Sequence, residues 1–168
     1  MTTQVEPWLR GTLTEVEPVR RAVLHALELA VEDAERWVVG LSEVEIVARP
    51  HGLPSVAFQL RHMARSLDRL LTYAEGKPLD ETQLAALGAE MGEGGSAGEA
   101  LAEFRNGLMR ATERVLAASP ASFADARGVG RKGLPTTVAG LLIHCADHTQ
   151  RHSGQMVTTA KVVLAARP

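Results

Sequence analysis

The sequence predicts an all-α protein, a four-helix bundle made by a single domain that spans residues 1–168. Apolar residues recur every three or four positions along four long segments, and glycine and proline separate these segments. Strand-like alternation of apolar and polar residues is absent. A hydrophobic fraction of 45% is that of an ordinary globular chain, and the chain is long enough to bury a core without disulfides.

The first two helices are predicted from periodicity and from their end signals. The first runs from Thr14 to Val38, and Gly40 is placed to stop it. A polar connection over Arg49–Pro54 follows, and Ser55 is a suitable N-cap for the second helix. That helix extends to Glu75, where a Gly-Lys-Pro sequence ends it.

The next connection, of about twenty residues, contains a short helical segment around Glu81–Glu90. Ser96 and Glu99 form a capping-box pattern, which predicts the third long helix over Ala97–Ala118. A connection of this length can cross the bundle, so the second and third long helices can run parallel.

A second long connection, rich in glycine and charge, runs from Pro120 to Pro135. Either Thr136 or Thr137 opens the fourth long helix, which continues to Ala165. With this helix the sequence completes the predicted bundle.

Composition argues against several classes of partner. Eighteen Lys and Arg against twenty Asp and Glu give a net charge of −2, so neither a nucleic-acid footprint nor a polybasic membrane patch is expected. The single cysteine, Cys145, fits a reducing compartment, and the polar start over Met1–Trp8 lacks the pattern of a signal peptide. We expect a cytoplasmic protein without a membrane partner.

His148 and His152 are the first candidate metal ligands. Four residues apart on a helix, they lie one above the other and both imidazoles can reach one divalent ion. They flank an apolar stripe formed by Val138, Leu142, Cys145, Thr149, Met156, Ala160 and Val163. An imidazole facing the interior needs a partner, and a metal ion is one. The alternative is that this spacing arose by chance.

His62 is the candidate third ligand, since a catalytic metal typically takes three protein ligands and keeps one position open. It occupies the boundary of the core face on the second long helix, a position similar to that of the histidine pair. Ser66, Arg69 and Tyr73 share its side of the helix and are candidates to line an entrance and contact an anionic substrate. His144, one turn before His148, is a candidate to donate to a water or substrate group or to support a metal ligand. The alternatives are a solvated flank and an ordinary histidine at a bundle end.

The combined pattern resembles the DinB-like (DinB/YfiT) superfamily of metal-dependent proteins. Members carry a histidine on the second long helix and a C-terminal HxxxH followed by Gly-Gln. Here these are His62, His148, His152, Gly154 and Gln155. The resemblance implies a bundle of up-down-down-up type and a divalent-metal site, for Zn, Ni, Mn or Fe, built from the three histidines.

The resemblance also implies a function. Characterised branches are transferases and isomerases that use low-molecular-weight thiols, and others are similar to metal-dependent hydrolases. A thiol-dependent S-transferase or a hydrolase acting on a small molecule is therefore expected. The alternative is a non-catalytic, stress-related bundle that binds a metal or a small molecule. Arg151 and Ser153 depart from the residues that many relatives have there, which weakens substrate analogies.

The first helix also predicts a homodimer built partly on an outer face of the bundle, because its apolar arc is wider than one packing seam needs. The alternative is that the three neighbouring helices cover the whole arc. The arc consists of Val19, Val23, Leu24, Leu27, Leu29 and Val31.

Overall fold

Four long helices pack against one another, as expected for a bundle, in the computed structural model, which describes residues 5–90 and 96–167. The α-helices of these ranges are α1 Pro18–Trp37, α2 Glu43–Val47, α3 Val56–Ala74, α4 Glu81–Ala89, α5 Ala97–Ala117 and α6 Val138–Ala165. Strands β1 Ala126–Val129 and β2 Leu134–Thr137 form an antiparallel hairpin between α5 and α6.

The helix starts follow the capping residues. Ser55 accepts a backbone hydrogen bond at the start of α3, and Ser96 and Glu99 form the predicted capping box of α5. Thr137 caps α6. The predicted start of α1 at Thr14 was wrong, because Glu17 caps the helix and a proline occupies its first position.

The sequence did not predict the two strands or the short helix α2. The expectation that strands are absent was wrong: β1 and β2 pair from Ala126 with Thr137 to Val129 with Leu134. Each strand has only four residues and contains a glycine or a proline, so it is too short for a readable alternation. The five-residue helix α2, capped by Ser42, was likewise unpredicted.

The core lies between α1, α3, α5 and α6. It includes Val23, Leu27, Leu60, Met63, Leu67, Phe104, Leu108, Leu142, Cys145 and Met156. Helices α3 and α5 approach closely at Gly107, where an added Cβ would lie 2.6 Å from the Cβ of Ala64. Among the residues described, no helix is both long and apolar enough to cross a bilayer.

Contacts between α3 and its neighbours position the site. From Arg65 to Asp68 on α3, the contacted residue on α5 changes from Glu103 to Arg114, so the contacts advance in the same direction along both helices. Along α3 and α6 the contacts advance in opposite orders: Gln59 contacts Gln155, whereas His62, later on α3, contacts His148, earlier on α6. His62, one turn after Gln59, therefore faces the middle of α6.

Candidate metal centre

Three histidines from two helices meet between α3 and α6. Each of His62, His148 and His152 offers one ring nitrogen, and these three atoms all lie within 4.8 Å of one another. The ring centroids of His62 and His152 are 4.3 Å apart, and those of His148 and His152 are 4.4 Å apart. The structure thus brings together the three residues that the sequence predicted as a ligand set.

Local structure explains this convergence. His148 and His152 are separated by about one turn of α6, so their rings project from the same side. His62 stacks on Phe58, with ring centroids 5.4 Å apart and planes 14° from parallel. The side chain of His62 is 18% exposed, which leaves the cluster at the edge of the core rather than sealed inside it.

A buried amide orients His152. Its Nδ1 lies 2.7 Å from Oε1 of Gln59, and since a carbonyl oxygen only accepts, the imidazole donates from Nδ1. Gln59 is fully buried, and its own Nε2 donates to Oε1 of Gln155 at 3.0 Å. With the proton on Nδ1, neutral His152 keeps a lone pair on Nε2, the nitrogen that is free to bind a metal.

A carboxylate orients His62. Nδ1 of His62 lies 3.1 Å from Oε2 of Glu90, and Nη1 of Arg69 donates to the other carboxylate oxygen at 2.8 Å. Burial alone would raise the pKa of Glu90, but the hydrogen bonds from His62 and Arg69 outweigh it and hold that pKa below its ordinary value. The ionised carboxylate accepts a hydrogen bond from Nδ1 of His62. Nε2 of His62 faces His148, another member of the cluster.

The surroundings of His148 and His152 favour the neutral imidazole, the form that binds a metal. Burial lowers the pKa of His148 to about 4, and neighbouring histidines contribute to the same direction. Burial and the proximity of His62 lower the pKa of His152 to about 4 as well. Both rings are therefore neutral at pH 7, as metal ligands must be.

The cluster also contains unsatisfied hydrogen-bonding capacity. Nε2 of His62 and Nε2 of His148 lie 3.3 Å apart, so two ring nitrogens of the same kind face each other. Nδ1 of His148 is buried without a hydrogen-bond partner among residues 5–90 and 96–167. Because Nδ1 of His62 donates to Glu90, its Nε2 carries a lone pair that a divalent ion would accept, and an all-imidazole donor set suits the first-row metals named above.

The remaining predicted site residues do not join the cluster. The guanidinium of Arg69 is held by Glu90 and donates to Oγ of Ser66 at 3.0 Å. Tyr73 lines a cleft of about 610 Å³ between the end of α3 and the hairpin. The ring centroid of His144 lies 5.6 Å from that of His148, and the His144 side chain is 46% exposed.

Sequence reasoning missed the two residues that hold the ligands. Gln59 shares a helix side with His62, a signal that was present, but its contact with His152 spans 93 positions. Glu90 follows α4, a short helix in which none of the residues is buried, and nothing in its local sequence points to His62.

A model of the DinB superfamily matches residues 26–156, which is most of the chain and includes all three histidines. The chain belongs to the DinB superfamily. No curated protein matches the sequence. The family match begins within α1 and ends within α6, so the single-domain boundary at residues 1–168 stays a prediction.

Proposed function

We propose that this DinB superfamily protein is a metal-dependent enzyme in which His62, His148 and His152 hold one divalent ion through Nε2. The observation that carries the proposal is the convergence of the three rings, two of which have Nδ1 engaged by an acceptor. We include the up-down-down-up order of the long helices in this proposal, supported by the order of the contacts along α3.

The chain's own residues prepare the site for this role. A divalent ion with three neutral histidine ligands keeps its full charge and lowers the pKa of a bound water or thiol. Gln59 and Glu90 fix two of the rings, so little conformational freedom is lost when the ligands are engaged. Burial keeps His148 and His152 unprotonated, so protons do not compete for their nitrogens near pH 7.

Two reactions fit such a site. In the first, a low-molecular-weight thiol loses its proton, its sulfur bonds to an electrophilic carbon, and the leaving group departs with its electron pair. In the second, water loses a proton and its oxygen bonds to the carbonyl carbon of a small ester or amide, the bond from that carbon to the ester oxygen or amide nitrogen breaks, and the leaving alcohol or amine takes up a proton. His144 lies beside His148 and is half exposed, which suits a group that takes up the released proton. Arg69 and Tyr73 are not assigned catalytic roles, because one is held by Glu90 and the other lines the cleft at the hairpin.

Metal analysis tests the ligand assignment. Protein purified without a histidine tag should carry about one ion of Zn, Ni, Mn or Fe per chain, and His62→Ala, His148→Ala and His152→Ala should each lose most of it. His51→Asn is a matched control, because His51 is exposed and has a φ of 52°, which asparagine tolerates. Full occupancy in His148→Ala and His152→Ala would contradict the assignment.

Activity assays separate the enzyme from the alternative, a non-catalytic protein that binds a metal or a small molecule. Metal-loaded protein is incubated with a panel of thiols and bromobimane or chlorodinitrobenzene, and in parallel with simple esters and amides. We expect turnover that depends on His148. Binding of one ion without turnover for any substrate, or turnover that survives His148→Ala, would favour the binding protein.

A further inference from the structure

We propose that Glu90, held in place by Arg69, is a positioning residue that fixes the ring of His62 and increases the electron donation of His62 to the metal ion. The inference rests on the metal site proposed above and adds a carboxylate that the histidine pattern does not contain. We call the three side chains the Arg69–Glu90–His62 chain.

The three histidines differ in what holds them. Nδ1 of His62 donates to a carboxylate, Nδ1 of His152 donates to the amide of Gln59, and within residues 5–90 and 96–167 Nδ1 of His148 has no hydrogen-bond partner. A carboxylate draws the Nδ1 proton more strongly than an amide oxygen does, which makes the opposite nitrogen a better donor to a metal. The hydrogen bond to Glu90 thus makes Nε2 of His62 a stronger donor to a metal than the hydrogen bond to Gln59 makes Nε2 of His152.

The placement of Glu90 is built into the fold. Asp80 and Gln83 form a capping box at the start of α4, and Nε2 of Gln83 also donates to Oδ2 of Asp68 and to Oγ1 of Thr72. These bonds fasten the first turn of α4 to α3. The nine residues of α4 then run beside α3. Glu90, the C-cap residue of α4, therefore lies next to His62.

Contacts on both sides then hold the carboxylate. Its side chain is only 9% exposed, and an ionised carboxylate so far from water requires strong partners. Nη1 of Arg69 supplies one at 2.8 Å, and His62 supplies the other. Since Glu90 contacts the Nδ1 edge of His62 while His148 faces Nε2, Glu90 acts through His62 and is not itself a ligand.

Two substitutions separate charge from orientation. Glu90→Gln keeps an oxygen that accepts from Nδ1 but removes the charge, whereas Glu90→Ala removes both. Glu103→Gln is the matched control, because Glu103 also pairs with arginines of α3, at 2.6 Å to Arg65, but does not contact the histidines. Circular dichroism spectra of the apo proteins check that each variant folds. If Glu90→Ala does not fold, the nearly isosteric Glu90→Gln alone tests the role of Glu90.

Cobalt(II) is the probe. We expect its dissociation constant to rise about 10-fold in Glu90→Gln and towards 100-fold in Glu90→Ala, and to stay unchanged in Glu103→Gln. The visible absorption bands of the bound ion should keep their pattern, since the number of ligands does not change. In proton spectra of the cobalt protein, the shifted Nδ1 proton of His62 should exchange slowly with solvent, and it should exchange much faster in Glu90→Ala.

Each contrary result has a distinct meaning. If the wild-type protein binds no cobalt, the metal site fails and the role of Glu90 with it. If the wild-type protein binds cobalt but both Glu90 variants match its affinity and proton exchange, only the role of Glu90 is overturned. If the absorption bands of Glu90→Gln change as they do when a ligand is lost, Glu90 is a direct ligand and the positioning role is wrong.

Discussion

Gly107 allows a close approach between α3 and α5, and replacing it with alanine should destabilise the protein. The new Cβ would lie 2.6 Å from Cβ of Ala64 and 3.0 Å from its Cα. Carbon atoms in contact ordinarily lie about 3.5–4.0 Å apart, so the helices would have to separate by about 1 Å. Neither atom belongs to a flexible side chain that could swing away.

The magnitude follows from what lies along the same interface. Leu60, Met63 and Phe104 are fully buried there, and a gap of about 1 Å forfeits up to half of each dispersion contact across it. Overpacking typically costs about 1–3 kcal/mol, and we place this site at the upper end, about 3 kcal/mol. Alanine recovers about 1 kcal/mol of helix propensity. The expected net loss is therefore about 2 kcal/mol of unfolding free energy.

Urea denaturation followed by circular dichroism measures this change. Gly154→Ala is the matched control: Gly154 is exposed in the middle of α6, and apart from its neighbours in the helix no described atom lies within 4 Å of its added Cβ. The unfolding free energy of Gly154→Ala should rise by up to about 1 kcal/mol, because alanine has the higher helix propensity. If Gly107→Ala gained the same amount, the close approach of α3 and α5 would be refuted.

Three further outcomes are expected. Burial raises the pKa of Asp33 even though Ser153 donates to it, so the native state loses stability as pH rises through the ordinary carboxyl range. Asp33→Asn should therefore be more stable than wild type at pH 7, with a difference that shrinks below about pH 3.9 in denaturation curves; a constant difference would contradict this. Cys145 is fully buried and burial raises its pKa to about 12, so it should react with a disulfide reagent at pH 7 only as fast as the protein unfolds; prompt labelling of folded protein would disprove it. The homodimer stays a prediction: Val23, Leu24 and Leu27 of the predicted arc are buried within the chain itself, but a groove between α1 and α5 leaves Met109 57% exposed. Light scattering should give twice the chain mass at micromolar concentrations, and a monomer mass throughout would exclude the dimer.

Local signals in the sequence were enough to predict much of the fold. Helix periodicity, the caps at Ser55 and Ser96 and the spacing of His148 and His152 all act over a few residues, so they can be interpreted without knowing the tertiary structure. The boundary position of His62 follows from the same periodicity. These signals predicted the four long helices and the three residues that form the cluster.

Tertiary structure alone decided what surrounds the histidines. Glu90 is 28 positions from His62, and Gln59 is 93 positions from His152, so neither contact leaves a local pattern. Arg69 pairs with Glu90 because α4 brings that carboxylate back along α3, and no local pattern predicted this partner. The hairpin between α5 and α6 likewise depends on pairing between strands too short to show a pattern of their own. Local energetics determine which segments become helices, whereas the partners of each polar side chain depend on how those helices pack.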